Sequence, residues 1–254
     1  MTEPITSTAN PRVKALAALA GRRPRDDDND LFLMEGAAPV ARAAKRGFEV
    51  VELWHAGEVG PIGALERIAT TPAVLAKITG RSNPQSVLGV LRRRWVELPD
   101  AVAGLWLALD RPRDPGNLGT ILRTAAAVAA NGVILIGEAT DPFALECVRG
   151  SAGTLAEVPL ARSTEPAFIA WAAVQAAESI PIVGTAGDAT LDYRQAAAGA
   201  NAVLLMGNES EGLTPTLRAA CSTLVRIPMP GGIESLNLAV ATGVMLYELA
   251  RARI

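Results

Sequence analysis

Residues 227–237 read "IPMPGGIESLN" and run straight into the apolar segment "LAVATGVMLYELARARI" at 238–254. Pro228 and Pro230 fix φ and withhold N–H donors, while Gly231 and Gly232 reach dihedrals closed to other residues. The stretch therefore predicts a rigid, shaped loop rather than a strand. Ser235 and Asn237 stand where a helix N-terminus presents unpaired N–H groups. Two readings fit these residues: a helix cap after a tight turn, or a loop shaped around a ligand.

The chain upstream alternates apolar strands with helical patterns. "LWLALD", "GVILIG", "LAEVPL" (155–160), "IPIVGTA", "AVLLMG" and "LVRIPM" read as strands; "LGTILRTAAAVAA", "PFALECVRG" (142–150), "PAFIAWAAVQAA" and "TPTLRAA" read as helices. Nearly all-apolar strands alternating with helices predict an α/β fold with a parallel sheet covered on both faces. Ligands in such sheets gather beyond the C-terminal ends of strands. The polar, glycine-rich pieces fall there: "DRPRDPGNLGTILR" (110–123), "GNESEGL" (207–213) and the opening stretch. Neither G-x-G-x-x-G after the first strand nor G-x4-G-K-[ST] is present. The loop from Gly207 to Gly212 lacks lysine and carries Glu209 and Glu211, so it suits a neutral or cationic ligand rather than a phosphate.

The first 94 residues form a second pattern. "NPRVKALAALA" reads as a helix, "LFLME" as a strand, "GAAPVARAAKRG" as a helix, "EVVELWHA" as a strand, "PAVLAKITG" as a helix and "QSVLGVLRR" as a strand. These predict a small α/β domain over 1–94, a linker over 95–103 and a larger domain over 104–254. Residues 1–98 hold fourteen Lys/Arg against eleven Asp/Glu, and residues 99–254 hold ten against fifteen, so the first part is net +3 and the second net −5. The clusters "GRRPR" and "RRR" nominate Arg22, Arg23, Arg25, Arg92, Arg93 and Arg94 for phosphate contact, although Asp26-Asp-Asp-Asn-Asp30 could neutralise the first.

Composition narrows the chemistry. No apolar run is long enough to cross a bilayer and the start lacks a leader's apolar region, so a soluble cytoplasmic chain is expected. Cys147, Cys221 and the single histidine, His55, lie too far apart for a ligand motif, which argues against a metal and for reduced thiols. Residues 99–254 contain neither lysine nor histidine. Ser151, Ser210 and Ser235 thus lack the histidine of a Ser–His hydrolase, and proton transfer there must use other groups.

Asn117-x-Gly119-x-x-x-Arg123-x-Ala125 after a strand, Gly207-x-Glu209-x-x-Gly212-Leu213, and Ile227-Pro-Met229-x-Gly231-x-x-x-Ser235-Leu236-Asn237 occur in that order. Together they resemble the three signatures of the SpoU (TrmH) family, RNA ribose 2′-O-methyltransferases of the SPOUT class. "ITSTANPRVK", "LFLMEG" and "NPQSVLGVL" are similar to the family's small RNA-binding domain, a ribosomal-protein-like α/β fold. The resemblance implies a SPOUT domain whose C-terminal loops form a deep trefoil knot, an exception to the rule against threaded chains. It implies S-adenosylmethionine as cofactor, with Gly207, Ile227 and Leu236 in contact mainly through backbone and Thr185 and Met229 as neighbours. On the family pattern Arg123 would be the central catalytic residue, with Asn117, Glu209, Ser235 and Asn237 orienting arginine, ribose and cofactor. A guanidinium stays protonated at neutral pH, so stabilising the developing oxyanion and holding RNA phosphate is physically easier for Arg123 than acting as base. A homodimer through the C-terminal domain and an RNA substrate are also implied. The first domain favours ribosomal RNA; a transfer-RNA methyltransferase and a non-catalytic RNA-binding or ribosome-assembly factor are the alternatives.

Overall fold

Asn10, Thr71, Asp114 and Thr214 each accept a backbone N–H two or three residues ahead and are each followed by proline at the first helical position. A helix start tolerates that proline because its missing N–H would have no partner there. A computed structural model describes residues 3–21, 30–196 and 199–253. Two units emerge, Met1–Arg94 with Asp141–Glu157, and Trp95–Thr140 with Val158–Ile254.

The first unit contains α1 (Pro11–Ala20), β1 (Leu31–Glu35), α2 (Ala37–Lys45), β2 (Val50–His55), β3 (Glu66–Ala69), α3 (Pro72–Thr79) and β4 (Val87–Arg92). Its sheet runs β1-β4-β2-β3, with β4 antiparallel to both neighbours and β2 parallel to β3. The sheet is thus mixed, and strand β3 has no counterpart in the sequence reading because only Ile68 of its four residues is buried. Val13 and Leu16 of α1 and Val74, Leu75 and Ile78 of α3 pack on Leu33, Trp54, Ile68, Leu88 and Val90.

The second unit holds β5 (Leu105–Asp110), α4 (Pro115–Ala127), β6 (Gly132–Ile136), β7 (Leu160–Ser163), α6 (Glu165–Ala177), β8 (Ile182–Thr185), β9 (Leu191–Asp192), β10 (Ala202–Met206), α7 (Pro215–Ala219), β11 (Thr223–Arg226) and α8 (Leu238–Ala250). Seven strands in the order β7-β6-β5-β10-β8-β11-β9 pair in parallel throughout. Every residue of β5, β6 and β10 is buried, as central strands covered on both faces require. Trp106, Ala108, Ile134, Ile136, Val203 and Leu205 meet Phe168, Ala172 and Leu217 of α6 and α7 on one face. On the other, α4 packs against α8 and α8 against β10. The strand expected at 155–160 falls later, at Leu160–Ser163; Thr154–Glu157 instead closes a 3-10 turn after Gly153, whose φ is +76°.

Within the span of 104–254 expected for the larger domain, the segment Asp141–Glu157 between β6 and β7 packs with the first unit. Its helix α5 (Leu145–Gly150) is shorter than the 142–150 expected, because the Asp141 side chain accepts from Phe143 N at 2.9 Å and turns the chain first. Helix α5 packs on β1. The Phe143 ring lies 5.0 Å from that of Phe32, Leu145 joins the first unit's core, and Arg149 donates to Glu35 at 2.5 Å and to the Thr79 carbonyl at 2.7 Å.

Candidate active site

Loops leaving β8, β10 and β11, together with the starts of α4 and α8, surround a cavity of about 710 Å³. Of the ten catalytic and cofactor residues expected from the sequence, nine line it: Asn117, Thr185, Gly207, Glu209, Ile227, Met229, Ser235, Leu236 and Asn237. Arg123 is not among the lining residues. It sits on α4, exposed, with no hydrogen bond or ion pair among the described residues.

Each wall has a local cause. Asn237 caps α8, accepting from Ala239 N at 2.9 Å and Val240 N at 3.3 Å. Its amide donates to Asn117 Oδ1 at 2.9 Å, tying the start of α8 to that of α4, where Asp114 caps through Asn117 N at 2.6 Å. Asn237 is thus a helix cap, and Ile227, Met229 and Glu234–Asn237 of the same stretch line the cavity. Ser235 lies in the loop before the cap, exposed.

The second wall is the turn Gly207–Gly212. Asn208 and Gly212 exchange both backbone hydrogen bonds, at 3.1 and 3.0 Å. A Cβ on Gly207 would lie 2.4 Å from Gly212 C and 2.5 Å from Leu213 N, backbone atoms that cannot swing aside. Only glycine permits this approach. Thr185 donates to Met206 Sδ at 3.5 Å beneath the cavity.

Three carboxylates, Glu209, Glu211 and Glu234, share the lining with one guanidinium, Arg226. Such a surface repels phosphate and accepts a ligand bearing positive charge. The volume falls within the range of small-molecule sites, about 300–1,000 Å³. S-adenosylmethionine, cationic at sulfur and free of phosphate, fits both properties. Cysteine chemistry does not compete: burial pushes the Cys221 thiol up to about 11 and raises that of Cys147 as well. No group of His, Cys, Asp and Glu able to hold a metal occurs among the described residues.

The arginines nominated for phosphate contact divide. Arg22, Arg23 and Arg25 lie outside the described residues. Arg92 and Arg94 are exposed; Arg92 pairs with Glu49 at 2.8 Å and Asp30 at 3.3 Å, while Arg94 donates to the Arg46 carbonyl. Arg93 departs from the expectation. It turns inward, its side chain 12% exposed, to pair with Asp141 at 2.8 Å over the Phe143 ring. Alternation along the chain after β4 sends it to the opposite side from its two neighbours. Two further residues at the site, Arg226 and Asn208, stand beside recognised motif residues without belonging to the motif pattern; their signal was position at a strand's C-terminal end.

A wholly parallel sheet whose C-terminal loops enclose a carboxylate-bearing cavity of small-molecule size defines an α/β protein with a ligand site at its strand ends. Residues 104–247 match the model of the SpoU rRNA Methylase family, and residues 10–89 match an MRM3-like substrate binding domain. The chain is 32% identical, over 98% of its length and 92% of the relative's, to a 23S rRNA (uridine(2479)-2′-O)-methyltransferase of Streptomyces viridochromogenes. Its fold superposes on an AdoMet-bound rRNA methyltransferase from Sinorhizobium meliloti with a TM-score of 0.89 and 38% identity, covering 99% of this chain and 98% of that one. The AdoMet complex of the SpoU methyltransferase AviRb gives a TM-score of 0.85 and 32% identity, covering 96% and 98%. The chain belongs to the SpoU rRNA Methylase family.

Proposed function

We propose that this protein methylates a ribose 2′-oxygen of ribosomal RNA, with S-adenosylmethionine as donor. The observation that carries this reading is the convergence of Asn117, Glu209, Ser235 and Asn237, from three separate motifs, on one cavity beside the glycine-dependent turn at Gly207. When bound, the cofactor supplies a methyl group made electrophilic by a sulfonium. Gly207, Ile227 and Leu236 hold it, with Thr185 and Met229 beside them. Asn117 and Asn237 keep the two helix starts in register, and Glu209 and Ser235 face the cavity where the ribose must be aligned. Alignment alone supplies several kcal/mol of such a barrier, of order 7 in favourable cases. Arg123 does not line the cavity of its own chain, so on this reading it would reach the site of the partner protomer and stabilise the negative charge growing on the oxygen, whose proton would pass to solvent water.

The first unit, with Arg92, Arg94 and the cluster at Arg22, Arg23 and Arg25, binds the RNA substrate. Its likeness to a substrate binding domain supports this. A ribosomal RNA substrate would be met in the cytoplasm, which supports a cytoplasmic enzyme. Among the described residues no helix is long and apolar enough to cross a membrane.

The C-terminal loops are knotted on this reading. Its support is the path of the chain, which leaves β10, crosses through α7 to β11 on the far side of β8, and returns as α8 onto β10. The active form is a homodimer joined through α8. That helix leaves Val240 53% and Tyr247 51% exposed on one face, two turns apart, with Ile233 at 58% in the loop before it, and a second copy packed there would cover them. Light scattering at micromolar concentration is expected to give twice the 26.4 kDa chain mass; a monomer would overturn the dimer.

Purified protein incubated with methyl-labelled S-adenosylmethionine and separated ribosomal and transfer RNA pools is expected to label ribosomal RNA at a ribose. Label confined to transfer RNA would overturn the substrate assignment. Absence of label in naked RNA and in ribosomal particles alike, despite cofactor binding, would overturn the enzymatic reading.

A further inference from the structure

We propose that Arg111 is a positioning residue that clasps the Gly207–Gly212 wall of the cavity to the end of strand β5, and so sets cofactor affinity; the affinity part rests on the methyltransferase reading above. Arg111 lies outside all three family motifs. Four observations converge on it. Its φ is +44°, the left-handed region that residues with a side chain seldom occupy. Its guanidinium forks onto Asp110, Nε to Oδ1 at 2.9 Å and Nη2 to Oδ2 at 3.2 Å, and that carboxylate is 1% exposed at the end of β5. The third nitrogen, Nη1, reaches across to Glu211 Oε2 at 3.0 Å. The Arg111 carbonyl accepts from Asn208 Nδ2 at 2.9 Å.

Both ends of the wall are therefore held by one residue. Asn208, 4% exposed, receives Ser210 N on Oδ1 at 2.9 Å, so the amide anchored on Arg111 also shapes the turn that carries Glu209. Glu211 is held by the guanidinium. The side-chain hydrogen bond that Arg111 donates to Asp110 keeps the guanidinium protonated even more firmly than in an ordinary arginine. Room for the stem is reserved at the next strand: a Cβ on Gly137 would come within 3.0 Å of Arg111 Cγ. Left-handed backbone conformations at non-glycine residues persist where surrounding contacts over-determine them. Here the contacts are the two ends of the cavity wall.

Arg111→Lys keeps a cation beside the buried Asp110 but cannot span both Asp110 and Glu211. Cofactor binding by calorimetry is expected to weaken by up to about fivefold, the scale of one partly exposed ion pair. Arg111→Gly, which suits the φ but removes the whole fork, is expected to weaken binding about tenfold, the scale of a charge-assisted hydrogen bond. In the cofactor-free protein, amide exchange at Ser210 and Glu211 is expected to quicken in both variants, with the rest of the sheet unchanged. Because Glu211 also lines the cavity, the double variant is read by exchange in the cofactor-free protein: adding Glu211→Gln to Arg111→Lys should quicken exchange at Ser210 no further, because both remove the same bridge. Wild-type affinity and wild-type exchange in the lysine variant would overturn the proposal, as would full additivity of the exchange effects with Glu211→Gln. If the unaltered protein bound no S-adenosylmethionine, the methyltransferase reading would fail, while the exchange measurement would still decide the clasp.

Discussion

Arg123→Ala is expected to lower methyl transfer to RNA by a factor on the order of 10²–10³, the usual cost of removing one preorganised charge from a developing oxyanion. Cofactor affinity and melting temperature should stay near their wild-type values. The reason lies in where the side chain stands. Leu118, Ile121, Leu122 and Ala125 form the buried face of α4, and Arg123 projects from the opposite side without a partner among the described residues. A surface arginine of that kind ordinarily changes stability by no more than about 0.5 kcal/mol when truncated. Nor does it line the cavity of its own chain, so its loss leaves the cofactor walls intact. A large fall in turnover with both other properties preserved is therefore specific to chemistry or RNA positioning. An alanine variant that methylates RNA at the normal rate would remove Arg123 from the site.

A fragment ending at residue 94 is expected not to fold cooperatively, although its boundary follows the apparent end of the first domain. The missing residues 141–157 supply Phe143, Leu145, Cys147 and Val148, all buried. They also supply Arg149 and Asp141, which pair with Glu35 and Arg93, side chains 6% and 12% exposed, and without them Glu35 keeps only the longer contact to Arg81 at 3.8 Å. Removing one partner of a buried pair costs about 3–5 kcal/mol, and losing large apolar side chains from a core costs about 2–5 kcal/mol each. A small domain has only about 5–15 kcal/mol to lose. Circular dichroism and amide dispersion of the fragment should show a loosely packed chain. The single change Arg149→Ala in the full chain should destabilise the first unit by about 2 kcal/mol, the scale of a charged hydrogen bond, because Glu35 keeps Arg81 at 3.8 Å. A fragment 1–94 with native dispersion and a sharp melt would show the segment to be dispensable.

Local pattern carried most of the elements, while the residues expected at the site came from the family resemblance, and nine of those ten line one cavity. Proline after a polar cap marked the helix starts at Pro11, Pro72, Pro115 and Pro215, and wholly apolar runs marked β5, β6 and β10. These signals depend on a residue and its next few neighbours, so they are legible in one chain. The three motifs likewise fell at strand ends, where a parallel sheet exposes its loops. Contacts between distant residues leave no periodic trace. The Asn237–Asn117 bond spans 120 positions, Asn208 reaches Arg111 across 97, and Arg149 reaches Glu35 across 114. Arg93 shows the same limit: three arginines in a row look alike in sequence, and only Asp141 and Phe143, 48 and 50 positions on, turn the middle one inward. Packing, which pairs residues by proximity in space rather than along the chain, assigned residues 141–157 to the first unit and placed Arg111 against the cavity wall.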